Sequence, residues 1–245
     1  MTDEHDEPSD HRFSEGEGFS DTHDGFDLDP PELDVDPDKV DPVDSRVVSD
    51  LLDDEAIPDD QINADKLVDV GLEYMRINRY EQATDALERA AQYADDDLVE
   101  QEARTNKGAA HAELEEYDAA IGAYREALRI DDSSEHAATA QTNLAYALWE
   151  SGQSEQALEH AEKAVEIDER FARAWYNRGF FLLERGLPED ALNSIDNAIR
   201  LGMRNSSILE EKARALEELG EYDRAEEIVE EAEEMRKEAE QELVE

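Results

Sequence analysis

From about Gln61 onward, apolar residues return every three or four positions, the spacing that gathers them on one face of a helix, and this period continues to the C-terminus. Residues 1–60 show no sustained period. They hold six of the seven prolines, and a stretch such as DLDPPELDVDPDKVDPVD cannot continue a helix through them. One short exception is DSRVVSDLLDDEA, Asp44 to Ala56, where Val47, Val48, Leu51 and Leu52 share a helical face behind an Asp44 cap. It is read as a docking segment, a partner motif or a transient helix without a partner. The expected organisation is therefore a disordered acidic tail over 1–60, with a short helix at 44–56, followed by an all-α domain over 61–245.

The helical region also repeats itself. Equivalent blocks start at Ala64, Gln101, Ala138, Ala172 and Ser206, with offsets of 37, 37, 34 and 34 residues. The eighth position of each block is Gly71, Gly108, Ala145, Gly179 or Ala213. The twentieth is alanine throughout, from Ala83 to Ala225, and so is the twenty-seventh, from Ala90 to Ala232. Small side chains at fixed intervals let two helix backbones approach to about 8–10 Å. Larger residues such as Tyr74, Leu148, Leu182 and Leu216 on first helices, and Leu87, Tyr124, Ile195 and Val229 on second helices, are expected to fill the adjoining space.

This pattern, together with the turn-and-tyrosine signals NRYEQA, EEYDAA and GEYDRA, resembles the tetratricopeptide repeat family. The resemblance implies a right-handed α-solenoid of about five helix–turn–helix units whose first helices line a concave face. Several positions depart from the family's pattern. No block ends in proline, Arg104 and Gln141 stand at a normally apolar fourth position, and Lys107, Arg178 and Lys212 at a normally apolar seventh. Long stems at those sites can cover neighbouring helices while the charged heads reach water, with looser packing expected in the second repeat. The two longer offsets predict extra near-turns of helix around Asp97–Gln101 and Ser134–Ala137. Residues 233–245 continue the last helix as a polar cap.

Composition narrows the function. The chain carries 69 acidic and 23 basic residues, a formal net charge of -46. Of the basic residues 17 are arginine and 6 are lysine, so the chain is poor in lysine. This resembles acidic proteins of halophilic archaea, in whose salty cytoplasm such self-repulsion is screened; an ordinary acidic protein from a low-salt organism is the alternative. Nucleic acid is not an expected partner, because phosphate binding relies on Lys/Arg-rich surfaces. There is no cysteine, which removes disulfides and thiolate metal sites. The opening MTDEHDEPSD lacks a signal-peptide pattern, and FFLL is far too short to span a bilayer, so a cytoplasmic protein off the membrane is expected.

Catalytic signatures are missing. No P-loop, GxSxG, HExxH or dinucleotide fingerprint occurs. Asp34–Asp38 imitates the start of a calcium loop, but Lys39 replaces the turn glycine and Ser45 the bidentate glutamate. His5, His11 and His23 lack ligand spacing, and His111 and His160 fall on helices as packing or surface residues. The expectation is a non-enzyme without metal or cofactor.

What remains is the face of the first helices. In proteins with this repeat it holds an extended peptide or a partner helix, and the resemblance carries that expectation to the second, fifth, sixth, ninth and thirteenth repeat positions. The sixth position supplies Asn106, Asn143 and Asn177, whose amides offer both donor and acceptor to a peptide backbone; support of repeat stacking is the competing reading. Thr105, Thr142 and Tyr176 lie beside them, then Tyr146 and Phe180, with Trp149 a turn further. Arg173 is placed to catch a carboxylate or an acidic side chain. The family's lysine–asparagine carboxylate clamp is not complete, since repeat one offers Val68 and Leu72 there. The expected function is a protein–protein interaction scaffold, monomeric or weakly self-associating. The alternative is an adaptor acting through self-association or its convex and terminal faces, with Val47–Leu52 able to occupy the groove.

Overall fold

The computed structural model describes residues 63–134 and 136–242, within the unit spanning Ile57–Glu245. The acidic segment 1–60 and the 44–56 helix expected in it lie outside the described residues. Ten helices and no strand occur among the described residues. In chain order they are α1 (Ala64–Arg76), α2 (Tyr80–Tyr93), α3 (Asp97–Glu113), α4 (Tyr117–Ile130), α5 (Ala137–Glu150), α6 (Ser154–Ile167), α7 (Ala172–Glu184), α8 (Pro188–Arg200), α9 (Ser206–Glu218) and α10 (Tyr222–Glu242). They pair α1 with α2 through to α9 with α10, an all-α solenoid of five helical hairpins.

Each hairpin turns at the fifteenth repeat position, which is left-handed in every copy. Asn78 (φ 58) and Glu115 (φ 60) hold it in the first two repeats, and Gly152, Gly186 and Gly220 in the other three. In the fourth repeat Gly186 N donates to Leu183 O at 2.8 Å and Leu187 N donates to Leu182 O at 3.0 Å. That pairing satisfies carbonyls that the end of a helix otherwise leaves open. Helix starts use side chains where available: Asn63, Asp96 and Asn205 accept from the backbone N–H of Lys66, Leu98 and Ile208.

Within a hairpin, the eighth position meets the twenty-fourth. A methyl group placed on Gly71 would come 2.5 Å from Leu87 Cγ, on Gly108 2.6 Å from Tyr124 Cε1, and on Gly179 2.8 Å from Ile195 Cγ1. The small residue is therefore what admits the large one from the paired helix. Leu87, Tyr124 and Ile195 are buried as expected, but Val229 is 38% exposed. No helix follows α10 among the described residues to pack against it.

The polar departures from the apolar pattern find partners. Gln101 is fully buried at the start of α3. Its Nε2 donates to Ala127 O at 3.0 Å and also to Asp131 O, while its Oε1 accepts from the Ser134 hydroxyl. One side chain thus fills orphan carbonyls at the end of α4. Arg104 pairs with Glu100 and Glu126, and Gln141 Oε1 lies 2.6 Å from His160 Nδ1. The cations at the seventh position all reach back one repeat, Lys107 to Glu88, Arg178 to Glu162 and Lys212 to Asp196.

The first long offset adds a turn of helix as expected, since α3 runs for 17 residues from Asp97. The second does not. Residues 131–134 are non-helical and α5 begins only at Ala137, with Ser134 held by Gln101 instead of entering the helix.

Candidate functional site

First helices touch the next first helix along the array: α1 meets α3, α3 meets α5, α5 meets α7 and α7 meets α9. Second helices show no such repeated approach. First helices therefore line one side of the array, and the sequence-predicted residues all belong to those helices.

The structure divides those residues. Thr105 and Thr142 are buried, not exposed on this face as the sequence suggests, and each hydroxyl donates to the carbonyl four residues earlier, Gln101 O at 2.8 Å and Ala138 O at 2.7 Å. A hydroxyl closed into its own helix has nothing left to give a ligand. Asn177 is half-buried, and its Nδ2 donates to Thr142 O at 3.2 Å, which ties α7 to α5. That bond fits the stacking reading. Asn106 and Asn143 are also half-buried, but their side-chain amides make no hydrogen bond to another described residue. The three asparagines are thus not equivalent.

The aromatic residues differ as well. Tyr146 is 46% exposed. Phe180, at the same repeat position, is partly covered, its ring edge-on to Trp149 with centroids 5.3 Å apart and 5.7 Å from Phe181. Tyr176 is half-buried, and burial with the nearby carboxylates of Glu211 and Glu210 raises its phenol's pKa. Trp175 packs inward, its Nε1 donating to Glu169 O at 2.8 Å, with the Arg178 guanidinium 5.9 Å from its ring centroid. Arg173 is exposed, and its charge opposes the upward shift that burial imposes on the Tyr124 phenol.

Sequence reading missed Glu113, Glu150 and Glu184 here. Burial pushes the Tyr146 phenol up to about 12, with Glu150 as hydrogen-bond partner and negative neighbour adding to it, then Tyr117 and Glu113. At the far end, burial raises the Glu211 carboxyl; Arg214 draws it down, and Glu184 and Glu210 push it up. Glu211 Oε2 is buried without a hydrogen bond, 3.6 Å from Arg214 Nη1. Arg214 is shared, since it also lies 2.6 Å from Glu184 and 3.5 Å from Glu218. The signal for these groups was the recurrence of glutamate at the thirteenth position, as Glu113, Glu150, Glu184 and Glu218.

Models described as tetratricopeptide repeat match residues 100–170 and 182–240. The chain carries tetratricopeptide repeats. A curated relative, small glutamine-rich tetratricopeptide repeat-containing protein 2 of Mycosarcoma maydis, is 27% identical over 126 residues. That match spans 51% of this chain and 35% of the relative, about a third of its length. Among solved structures, BtubC from P. vanneervenii superposes with a TM-score of 0.63 at 16% identity, over 72% of this chain and 80% of its own. MamA (residue 41 to end) from Desulfovibrio magneticus RS-1 gives 0.59 at 19% identity, over 71% and 96%. At these identities the structural likeness is one of fold. Among the described residues, no group of three or more His, Asp or Glu side chains could hold a metal, and no helix is long and apolar enough to cross a membrane.

Proposed function

We propose that the chain is a non-enzymatic interaction scaffold that holds an extended peptide or helical segment of a partner protein along its first-helix face. The observation that carries this reading is the state of α5. Tyr146 stands 46% exposed three residues from Asn143, whose amide makes no bond among the described residues. Asn106 repeats this one unit earlier, again with no side-chain bond among the described residues. A large ring with a polar tip supplies contact area, and free amides pair with a peptide backbone whatever its side chains. Tyr176 and Phe180 extend the surface, and Arg173 offers a charge to a carboxylate. Asn177 is assigned to stacking in part, through its bond to Thr142 O. Thr105 and Thr142 are left out of the surface.

The test is capture of partners by the full chain against a variant carrying Asn106→Ala, Asn143→Ala and Tyr146→Ser. Circular dichroism should show an unchanged fold, because none of the three is buried. Loss of specific partners supports the groove, and unchanged recovery removes it.

Association through a terminal face is the second reading. It draws on Val70, Leu72 and Ile77, which leave apolar surface exposed on and just after α1. Light scattering over a concentration series separates the two, since a strict monomer argues against self-association.

A further inference from the structure

Three tyrosines and two glutamates alternate along one edge of the first-helix face. Tyr80 and Tyr117 open α2 and α4 at the same repeat position, the seventeenth. Glu113 and Glu150 close α3 and α5 at the thirteenth. Tyr146 and Glu150 are four residues apart on α5, hence neighbours on one side of that helix. Glu113 and Tyr117 flank the turn between α3 and α4, and α3 packs against α5, which carries Tyr146 and Glu150. Glu113 acts on the phenols of Tyr80, Tyr117 and Tyr146, and Glu150 on those of Tyr117 and Tyr146. Among the described residues neither glutamate forms an ion pair with a lysine or arginine. Elsewhere along the solenoid, carboxylates at the repeat interfaces have cations, as Glu88, Asp196 and Glu184 do. Both glutamates also sit in the last turn of a helix, where the backbone dipole disfavours negative charge.

We propose that the ledge of Tyr80, Glu113, Tyr117, Tyr146 and Glu150 receives arginine or lysine side chains of a partner polypeptide lying along the first-helix face. A cation meets here what it needs, aromatic faces for the stem and charge, and carboxylates for the N–H groups. This inference rests on the groove reading and names the chemistry of its occupant. Charge complementarity selects that occupant over the chain's own residues 1–60, which hold 23 acidic and three basic residues. A cation would also relieve the negative surroundings that help raise the Tyr146 phenol to about 12.

The test uses the full chain and fluorescence anisotropy with three labelled peptides: alternating arginine and leucine, and the same peptide with glutamine or glutamate for arginine. The expected order of affinity is arginine, then glutamine, then glutamate. Glu113→Gln with Glu150→Gln should weaken the arginine peptide roughly tenfold or more. Glu155→Gln with Glu166→Gln, which removes two exposed carboxylates from α6, should change it by less than about twofold. Equal losses in the two variants would mean that net charge alone attracts the peptide, and would overturn the proposal. So would equal binding of the glutamate peptide, or no binding of the arginine peptide. The groove reading is scored separately by Asn106→Ala with Asn143→Ala. If that variant binds all three peptides as the parent does, the groove fails; if it loses them while charge makes no difference, only the ledge fails.

Discussion

Lys212 Nζ lies 2.7 Å from Asp196 Oδ1, joining the seventh position of one repeat to the twenty-fifth of the repeat before it. Lys107 with Glu88 and Arg178 with Glu162 stand in the same relation. The cation in each case has a mostly covered stem, while its acidic partner is about half exposed. The interaction is therefore part packing and part charge. In a double-mutant cycle on Lys212→Met and Asp196→Asn, the coupling energy is expected to be about 0.5–1 kcal/mol. Lys212→Ala should cost more than Lys212→Met in urea melts, because it also strips the stem. Zero coupling would show that the pair is incidental.

Two glycines with opposite surroundings give a sharper contrast. A methyl group on Gly108 would come within 2.9 Å of three atoms of the buried Tyr124 ring, whereas one on Gly122 meets nothing within 4 Å. Both lie inside helices, so alanine improves helix propensity at either by roughly 1 kcal/mol. At Gly122 that gain stands alone, and Gly122→Ala should raise stability. At Gly108 the methyl must displace an aromatic ring, a strain of about 1–3 kcal/mol, and Gly108→Ala should lower it. Chemical denaturation of the two variants measures the difference directly.

Glu115 occupies the left-handed turn position that glycine fills in the last three repeats, at φ 60. A side chain with a Cβ is strained there by about 1–2 kcal/mol, partly offset by the larger freedom glycine has in the unfolded chain. Glu115→Gly is accordingly expected to stabilise the protein by about 0.5–1 kcal/mol. A lower melting temperature for the variant would contradict it.

A pH effect follows from Glu211, whose carboxyl burial raises. A raised carboxyl binds its proton more readily in the folded state. The stability it contributes is thus full below the unfolded carboxyl's pKa of about 4.3 and is lost as pH rises through the folded value. Glu211→Gln mimics the protonated form. It should melt higher than the parent at pH 7, with the gap closing as pH approaches 4. Arg214 keeps Glu184 and Glu218 as partners in that variant. A gap that persists at pH 4 would rule out the titration.

The fold was legible because its requirement is local and repeated. Gly71, Gly108 and Gly179 admit Leu87, Tyr124 and Ile195, and that exchange of small for large shows directly in the spacing. The site was less legible, because helix phase alone does not say how closely the next first helix stands. Thr142 lies on the right arc of α5 yet is fully buried, with its carbonyl taken by Asn177 from α7. Tyr146 and Phe180 share a repeat position, but only Phe180 has a Trp149 ring against it. The partners of Lys107 and Lys212 were hidden for the same reason: they lie 19 and 16 residues upstream, across a repeat boundary.

Salt separates the two roles of charge in this molecule. The net charge of -46 repels itself over many ångströms, and screening weakens that repulsion as the Debye length falls from about 10 Å at 0.1 M to about 3 Å at 1 M. The inter-repeat pairs act at contact distance, with Lys212 and Asp196 2.7 Å apart, so screening reaches them much less. Salt should therefore remove repulsion faster than attraction, and the melting temperature is expected to climb between about 0.1 M and 2 M KCl. Sodium chloride should act alike, since screening depends on ionic strength and not on the ion. Lys212→Met should shift the whole curve down without changing its slope. Equal stability at low and high salt would show that the acidic excess carries no folding penalty here.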